Sequence, residues 1–196
     1  ESNASNRSAA PTPSQLRLGP DGSSSPWRTQ SSRVVYDNPW IRVRQDDVIR
    51  PDGEPGIYGV VQFKNLAVGV LPVEDDGRIW LVGQYRYTLD RYSWEIPEGG
   101  AAFDEAPEDA ARRELREETG LLAAILEPVL WSHLSNSVSD ELGVLYRATG
   151  LTLGPSAPEG TEELQVRCVP WEEAWAMLER GQISDAISVM AILSEQ

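Results

Sequence analysis

The order of apolar patterns along the chain predicts an α+β fold, with a mixed β-sheet held between helices. Three observations carry this. Many short strand-like runs come first, one strongly patterned helix follows, and further strand-like runs then lead into a closing helical region. The regular β-α alternation that signals a doubly wound parallel sheet is missing. A length of 196 residues suits one domain plus a tail.

Taken in order, residues 1–32 are rich in Ser, Pro, Asn and Gly and poor in apolar side chains. They bury too little surface to offset ordering entropy, so a disordered tail is expected there. The domain is expected over 33–196, with an N-terminal strand region at 33–63 and a core at 64–196. Val34, Val35 and Tyr36 start a strand, and Asp37-Asn38-Pro39 turns it. Ile41, Val43, Val48 and Ile49 predict a second strand, broken or bulged near Gln45-Asp46. Ile57 to Phe63 and Leu66 to Val73 read as strands. Asp75-Asp76-Gly77 joins the latter to Arg78–Tyr85 as a hairpin. Tyr92 to Ile96 is a short strand that Pro97 ends.

Pro107 to Thr119 is the clearest helix. Proline suits its first turn, Glu108 and Asp109 suit its positive end, and Gly120 suits its stop. Strands are expected near Ala124–Trp131, Gly143–Thr149 and Leu164–Val169. A helical region from Trp171 to Leu193 breaks at Gly181 and restarts near Ser184 or Asp185. Trp171, Trp175, Met177 and Leu178 share one face of it and are expected in the core.

The net charge of −14 argues against nucleic acid or an anionic membrane as a partner, since both attract basic surfaces. No stretch approaches the roughly 18–20 apolar residues of a membrane span, so a cytoplasmic protein is expected. The acid is not in the tail, because residues 1–32 carry a net +1 and the remainder a net −15. A domain this acidic that binds an anionic substrate needs cations as intermediaries. Cys168 is the sole cysteine, so no intrachain disulfide forms; it is expected in a strand as a packing residue. His133, the sole histidine, is likewise expected to pack or hydrogen-bond.

On a helical wheel Glu114, Glu117 and Glu118 fall within an arc of roughly 100°. Arg112, Arg113 and Arg116 lie elsewhere on the circumference. Like charges at this spacing cost roughly 0.2–0.5 kcal/mol per pair. Hard divalent cations need such oxygen ligands, and magnesium is commonly shared between carboxylates and substrate phosphates. Taken alone, the cluster also fits a solvated acidic face.

Its surroundings decide between the two. Gly99, five residues, Glu105, seven residues and then Arg113-Glu114-Leu115-Arg116-Glu117-Glu118-Thr119-Gly120-Leu121 resemble the Nudix box at all nine constrained positions of its 23. The resemblance implies an α/β/α sandwich with an extra N-terminal strand region and a catalytic core over 64–196. It implies Glu114 and Glu118 as metal ligands, with Glu117 ligating directly or through water and the Glu98 carbonyl adding an oxygen. Mg2+ is the implied cofactor, with Mn2+ as a substitute. Arg113 would orient a carboxylate, Glu105 would help the metal or hold the loop, and Gly99 and Gly120 would serve the backbone.

Gln84-Tyr85-Arg86-Tyr87 and Ser93-Trp94-Glu95-Ile96-Pro97-Glu98-Gly99-Gly100 are similar to the ADP-ribose pyrophosphatase branch, as is Gly181-Gln182-Ile183-Ser184-Asp185-Ala186. Members of that branch hydrolyse nucleoside diphosphate sugars and are typically homodimers that share N-terminal strands. After the box, Ser135 to Glu141 replaces the branch's Ser-Pro-Gly-rich loop, so this chain looks closer to nucleoside diphosphate sugar hydrolases of different base preference. Glu141 stands at the register of the branch's catalytic Glu, with Asp140 and Glu163 in reserve. Glu117 and Glu118 complete the expected catalytic set. Arg86 would clamp phosphate, Glu95 would bind sugar or base, and Trp40 and Tyr36 would stack on a base. The expected reaction releases a nucleoside monophosphate and a sugar phosphate. The competing readings are a sanitising nucleoside triphosphate pyrophosphohydrolase and a non-catalytic nucleotide sensor.

Overall fold

The computed structural model describes residues 25–154 and 164–195. The first 24 residues of the tail expected over 1–32, and the reserve candidate Glu163, lie outside them. Among the described residues, ten strands and three α-helices follow in the order β1 (Arg28–Asp37), β2 (Ile41–Ile49), β3 (Pro55–Phe63), β4 (Asn65–Pro72), β5 (Ile79–Arg86), β6 (Arg91–Glu95), β7 (Glu98–Ala102), α1 (Pro107–Thr119), β8 (Leu121–His133), β9 (Leu142–Leu153), β10 (Gln165–Val169), α2 (Trp171–Glu179) and α3 (Ala186–Ser194). They form three sheets, ordered β1-β2-β3, β10-β5-β6 and β7-β4-β9-β8. The last is mixed, because β4 runs parallel to β9 and antiparallel to β7.

Side-chain alternation along β4 builds the layers. Val68 and Val70 pack with Ala110, Ala111 and Leu115 of α1. Leu71, on the opposite face, packs with Met177 of α2 and Ile187, Ala191 and Ile192 of α3. The mixed sheet therefore sits between α1 and the C-terminal helix pair, as the sequence order predicts. Met177 is buried, and Trp171, Trp175 and Leu178 pack partly buried against the same cluster.

The central helix runs over the residues expected of it. Pro107 opens it, Glu108 and Asp109 occupy the first turn, and Gly120 closes it in the left-handed region at φ 73°. The Gly120 amide donates to the Arg116 carbonyl at 2.9 Å. Asp185 caps α3 by accepting the Ser188 amide at 2.9 Å. Among the described residues, no helix is long and apolar enough to cross a membrane.

The structure corrects three expectations and adds a strand. β1 begins at Arg28, so residues 28–32 belong to a strand rather than to the tail. Backbone pairing of Arg28 with Ile49 supplies what apolar burial does not, and the Ser31 hydroxyl adds a bond to Asp47 at 2.6 Å. β2 pairs with β3 without a break, and the irregularities lie in β1 instead. The polar residue that suggested a break, Asp46, is buried and takes hydrogen bonds from Ser32 and Arg44. The expected hairpin between the strands around Asp75-Asp76-Gly77 shrinks to a single bridge, Val73 to Ile79. Both edges of β4 are taken by β7 and β9, and both edges of β5 by β6 and β10, so the two strands enter different sheets. Finally, Glu98–Ala102 is a strand that the sequence does not announce. Its small, glycine-rich composition carries no β signature.

Candidate active site

The chain is threaded so that the start of β7, the inner face of α1 and the loop before β9 meet. Gly99 makes this possible. A Cβ built on it would lie 2.2 Å from the Glu114 carboxyl carbon, so the Glu114 carboxylate rests directly on the Gly99 backbone. One turn further along α1, Glu118 accepts the Glu98 amide at 3.0 Å. The box strand and the helix are thus stitched together through the acidic residues.

Arg113 gathers the remaining acids. Its Nε and Nη2 donate to the two Glu105 oxygens at 3.2 and 3.1 Å, and Nη2 also donates to the Gly100 carbonyl at 3.0 Å. Nη1 reaches Glu114 at 2.7 Å and Glu117 at 3.2 Å. The hydrogen bonds from Arg113 hold Glu105 below the usual carboxylate range. Burial pushes Glu114 up, against the Arg113 hydrogen bond and charge.

A cavity of about 410 Å³ opens in front of this layer, with Glu98, Gly99, Arg86, Glu141, Asp185 and Trp40 among its walls. Arg86 is held from beneath. Glu95, only 1% exposed, accepts from Arg86 Nε at 2.9 and 3.0 Å, and Glu98 accepts from Nη2 at 2.5 Å. Burial works against the Arg86 charge, but the Glu95 hydrogen bonds and the charges of Glu98, Glu95 and Asp185 outweigh it and raise its pKa. The Glu98 carboxyl is pushed well up by burial, then by the Asp185 and Glu95 charges, with Arg86 opposing. Across the cavity, burial raises Glu141, and the Asp185 and Asp140 charges act in the same direction.

A family model described as the NUDIX domain matches residues 63–190. The chain belongs to the Nudix family. A second model, described as the nucleoside diphosphate sugar hydrolase N-terminal domain, matches residues 27–61 of this Nudix chain. The chain is 33% identical over 171 residues to ADP-ribose pyrophosphatase of Mycobacterium tuberculosis, spanning 86% of this chain and 82% of that one. It is 32% identical over 167 residues to ADP-ribose pyrophosphatase of Bacillus subtilis, spanning 84% and 90%. The solved structure of an ADP compounds hydrolase superposes with a TM-score of 0.79 at 21% identity, covering 88% of this chain and 94% of that one, which is a likeness of fold.

Nudix hydrolases generally work with divalent metal ions. Here the donor set is all oxygen, as a hard cation requires. Among the described residues, no three His, Cys, Asp or Glu side chains form a group that would enclose an ion unaided. A cation bound at the box would share its coordination among carboxylates, a backbone carbonyl, water and substrate phosphate. Glu114 seated on Gly99, with Glu118 on the neighbouring Glu98 amide, fits that arrangement.

The residues marked in the sequence are not all in one place. Glu98, Gly99, Arg86, Glu141 and Trp40 line the Nudix cavity, and Glu114 and Glu118 stand immediately behind it. Glu95 does not line it; the carboxylate lies under Arg86 and orients the guanidinium. Tyr36 is exposed on β1 and is not among the residues that line the cavity. Asp140 Oδ1 accepts the Phe63 amide at 2.8 Å, tying the loop before β9 to the end of β3. His133 is exposed at the end of β8, and Cys168 is half-buried in β10. Sequence reasoning noticed Asp185 as a helix start and within the closing segment similar to the branch, without a site role; its place in the cavity follows from the capping position it occupies on α3.

Proposed function

We propose that this Nudix hydrolase cleaves the diphosphate bond of a nucleoside diphosphate sugar, releasing a nucleoside monophosphate and a sugar phosphate. The observation that carries this reading is one cavity lined by Glu98, Gly99, Glu141 and an Arg86 held by Glu95, with the box carboxylate Glu114 seated on Gly99 behind it. The match of the N-terminal region to the nucleoside diphosphate sugar hydrolase model, and the two ADP-ribose pyrophosphatase relatives, support this substrate class.

Glu114, Glu117, Glu118 and the Glu98 carbonyl would hold Mg2+, or Mn2+ in its place, which neutralises the diphosphate and lowers the pKa of the attacking water. Arg86 binds a phosphate oxygen, its guanidinium oriented by Glu95. Water adds at one phosphorus, its proton passes to Glu141, and the bridging P–O bond breaks so that the leaving phosphate carries the bridging oxygen away. Trp40, 68% exposed at the cavity rim, contacts the bound substrate. Arg113 and Glu105 position the acidic layer, and Gly120 ends the helix that presents it. The strand region and the catalytic core act as one unit. Two chains pair through the β1-β2-β3 sheet, where Val34, Val35, Tyr36 and Ile57 are exposed.

The test is a product assay with Mg2+ and separate ADP-ribose, GDP-sugar, UDP-sugar and nucleoside triphosphate panels, using Glu118→Gln as control. Sugar phosphate release that the variant loses is the expected result. Pyrophosphate release from triphosphates alone would replace this reading with the sanitising one, and binding without turnover would replace it with a sensor.

A further inference from the structure

Glu141 stands at the end of a loop that has little apolar anchorage of its own. Ser135, Asn136, Ser137 and Val138 are all exposed. Such a segment opens easily unless its backbone is tied down. Its root is secured, because Leu134 packs half-buried against the core shared with α2 and α3, and the Leu134 amide donates to the Glu141 carbonyl at 3.2 Å. Among the described residues no hydrogen bond holds the Glu141 carboxylate, so the loop backbone sets where it points.

The ties on that backbone come from the N-terminal sheet. β3 is an end strand, with β2 on one edge and the loop on the other. Val61 and Ser139 form a parallel bridge. The Val61 amide donates to the Val138 carbonyl at 2.9 Å, and the Asp140 amide donates to the Val61 carbonyl at 3.1 Å. Side chains extend the pairing at both ends. The Tyr58 hydroxyl donates to the Ser137 carbonyl at 3.0 Å, and its ring meets Trp27 edge-on. At the other end the next rung of a parallel ladder would bond the Phe63 amide to the Asp140 carbonyl. Asp140 Oδ1 takes that amide instead, at 2.8 Å. The strand pairing therefore stops one residue before Glu141, which lines the cavity.

We propose that β3 positions Glu141 for the reaction, with Asp140 as the positioning residue that ends the strand pairing and turns the chain into the cavity. The N-terminal sheet is then a working part of the active site. The proposal rests on the hydrolase reading, with Glu141 as its proton acceptor.

The test compares full-length wild type, Asp140→Ala, Asp140→Asn and Tyr58→Phe on a diphosphate sugar with Mg2+, on the plateau of the pH profile. Asp140→Ala removes the acceptor for the Phe63 amide. It should lower kcat about 10–100-fold and leave KM within about twofold, since a misplacement of about 1 Å is enough for such a loss. Asp140→Asn keeps an acceptor oxygen and should stay within about threefold of wild type, and Tyr58→Phe should lower kcat by about two- to fivefold. Hydrogen exchange at residues 134–141 should quicken in Asp140→Ala and not in Asp140→Asn. An unchanged kcat in Asp140→Ala, a rise in KM alone, an equal loss in the Ala and Asn variants, or a loss without faster loop exchange would each overturn the proposal and leave the hydrolase reading standing. A wild type that releases no sugar phosphate would overturn the hydrolase reading, and this proposal with it.

Discussion

At the scale of single residues, activity depends on where a few carboxylates are held. Gly99 leaves room for the Glu114 carboxylate and nothing larger. In Gly99→Ala the new methyl meets the far end of a flexible side chain, which can swing away. Folding should therefore survive while the acidic layer is displaced. Turnover is expected to fall about 10–100-fold with little change in melting temperature. A matched loss of both would assign Gly99 a role in stability instead. Glu141 carries a different prediction. A general base must be ionised, and burial together with Asp185 and Asp140 favours its protonated form. The acid limb of the kcat/KM profile should lie above the ordinary carboxylate range, with activity rising as pH climbs through it. Asp185→Asn keeps a good helix cap and removes one of the like charges, so the limb should move to lower pH. An unmoved limb in that variant would remove Glu141 from the role. The box spacing makes the acids of α1 readable in the sequence. Nothing in the sequence shows that Glu95 lies buried under Arg86, because that depends on the pairing of β5 with β6.

At the scale of elements, legibility followed the strength of local signals. α1 could be read from end to end because proline, first-turn acids, an amphipathic face and a terminal glycine agree. Gly120→Ala forces a Cβ into the left-handed region and should cost about 1–2 kcal/mol in urea unfolding. Leu115→Ala, emptying a site between α1 and the sheet, should cost about 2–5 kcal/mol. An order reversed between these two variants would contradict the packing described. β7 stayed hidden because Gly99, Gly100, Ala101 and Ala102 have no strand propensity; β4 supplies the pairing that makes them one. The hairpin expected around Asp75-Asp76-Gly77 failed for a related reason. A turn signal reports that the chain reverses, not which strands claim each edge afterwards. β1 reaches back to Arg28 through backbone pairs and serine–aspartate contacts that apolar periodicity does not see.

At the scale of the whole molecule, charge and exposure carry the remaining predictions. A chain at net −14 that binds a polyanion should depend on its cations throughout. Chelation is expected to abolish turnover, and Mg2+ or Mn2+ to restore it. The β1-β2-β3 sheet leaves Val34, Val35, Tyr36 and Ile57 exposed, an apolar surface suited to a second copy. Sedimentation should give twice the chain mass, shifting toward the monomer in Val35→Asp; a monomeric wild type would refute the pairing. The central claim is that this Nudix cavity directs one water to a diphosphate phosphorus. Its most direct test is turnover of a nucleoside diphosphate sugar with Mg2+ in 18O-labelled water, read by mass spectrometry of both products. A nucleoside monophosphate and a sugar phosphate are expected in equal amounts, with one 18O in one of them and none in the other. Release of pyrophosphate, label in both products, or no release would contradict it.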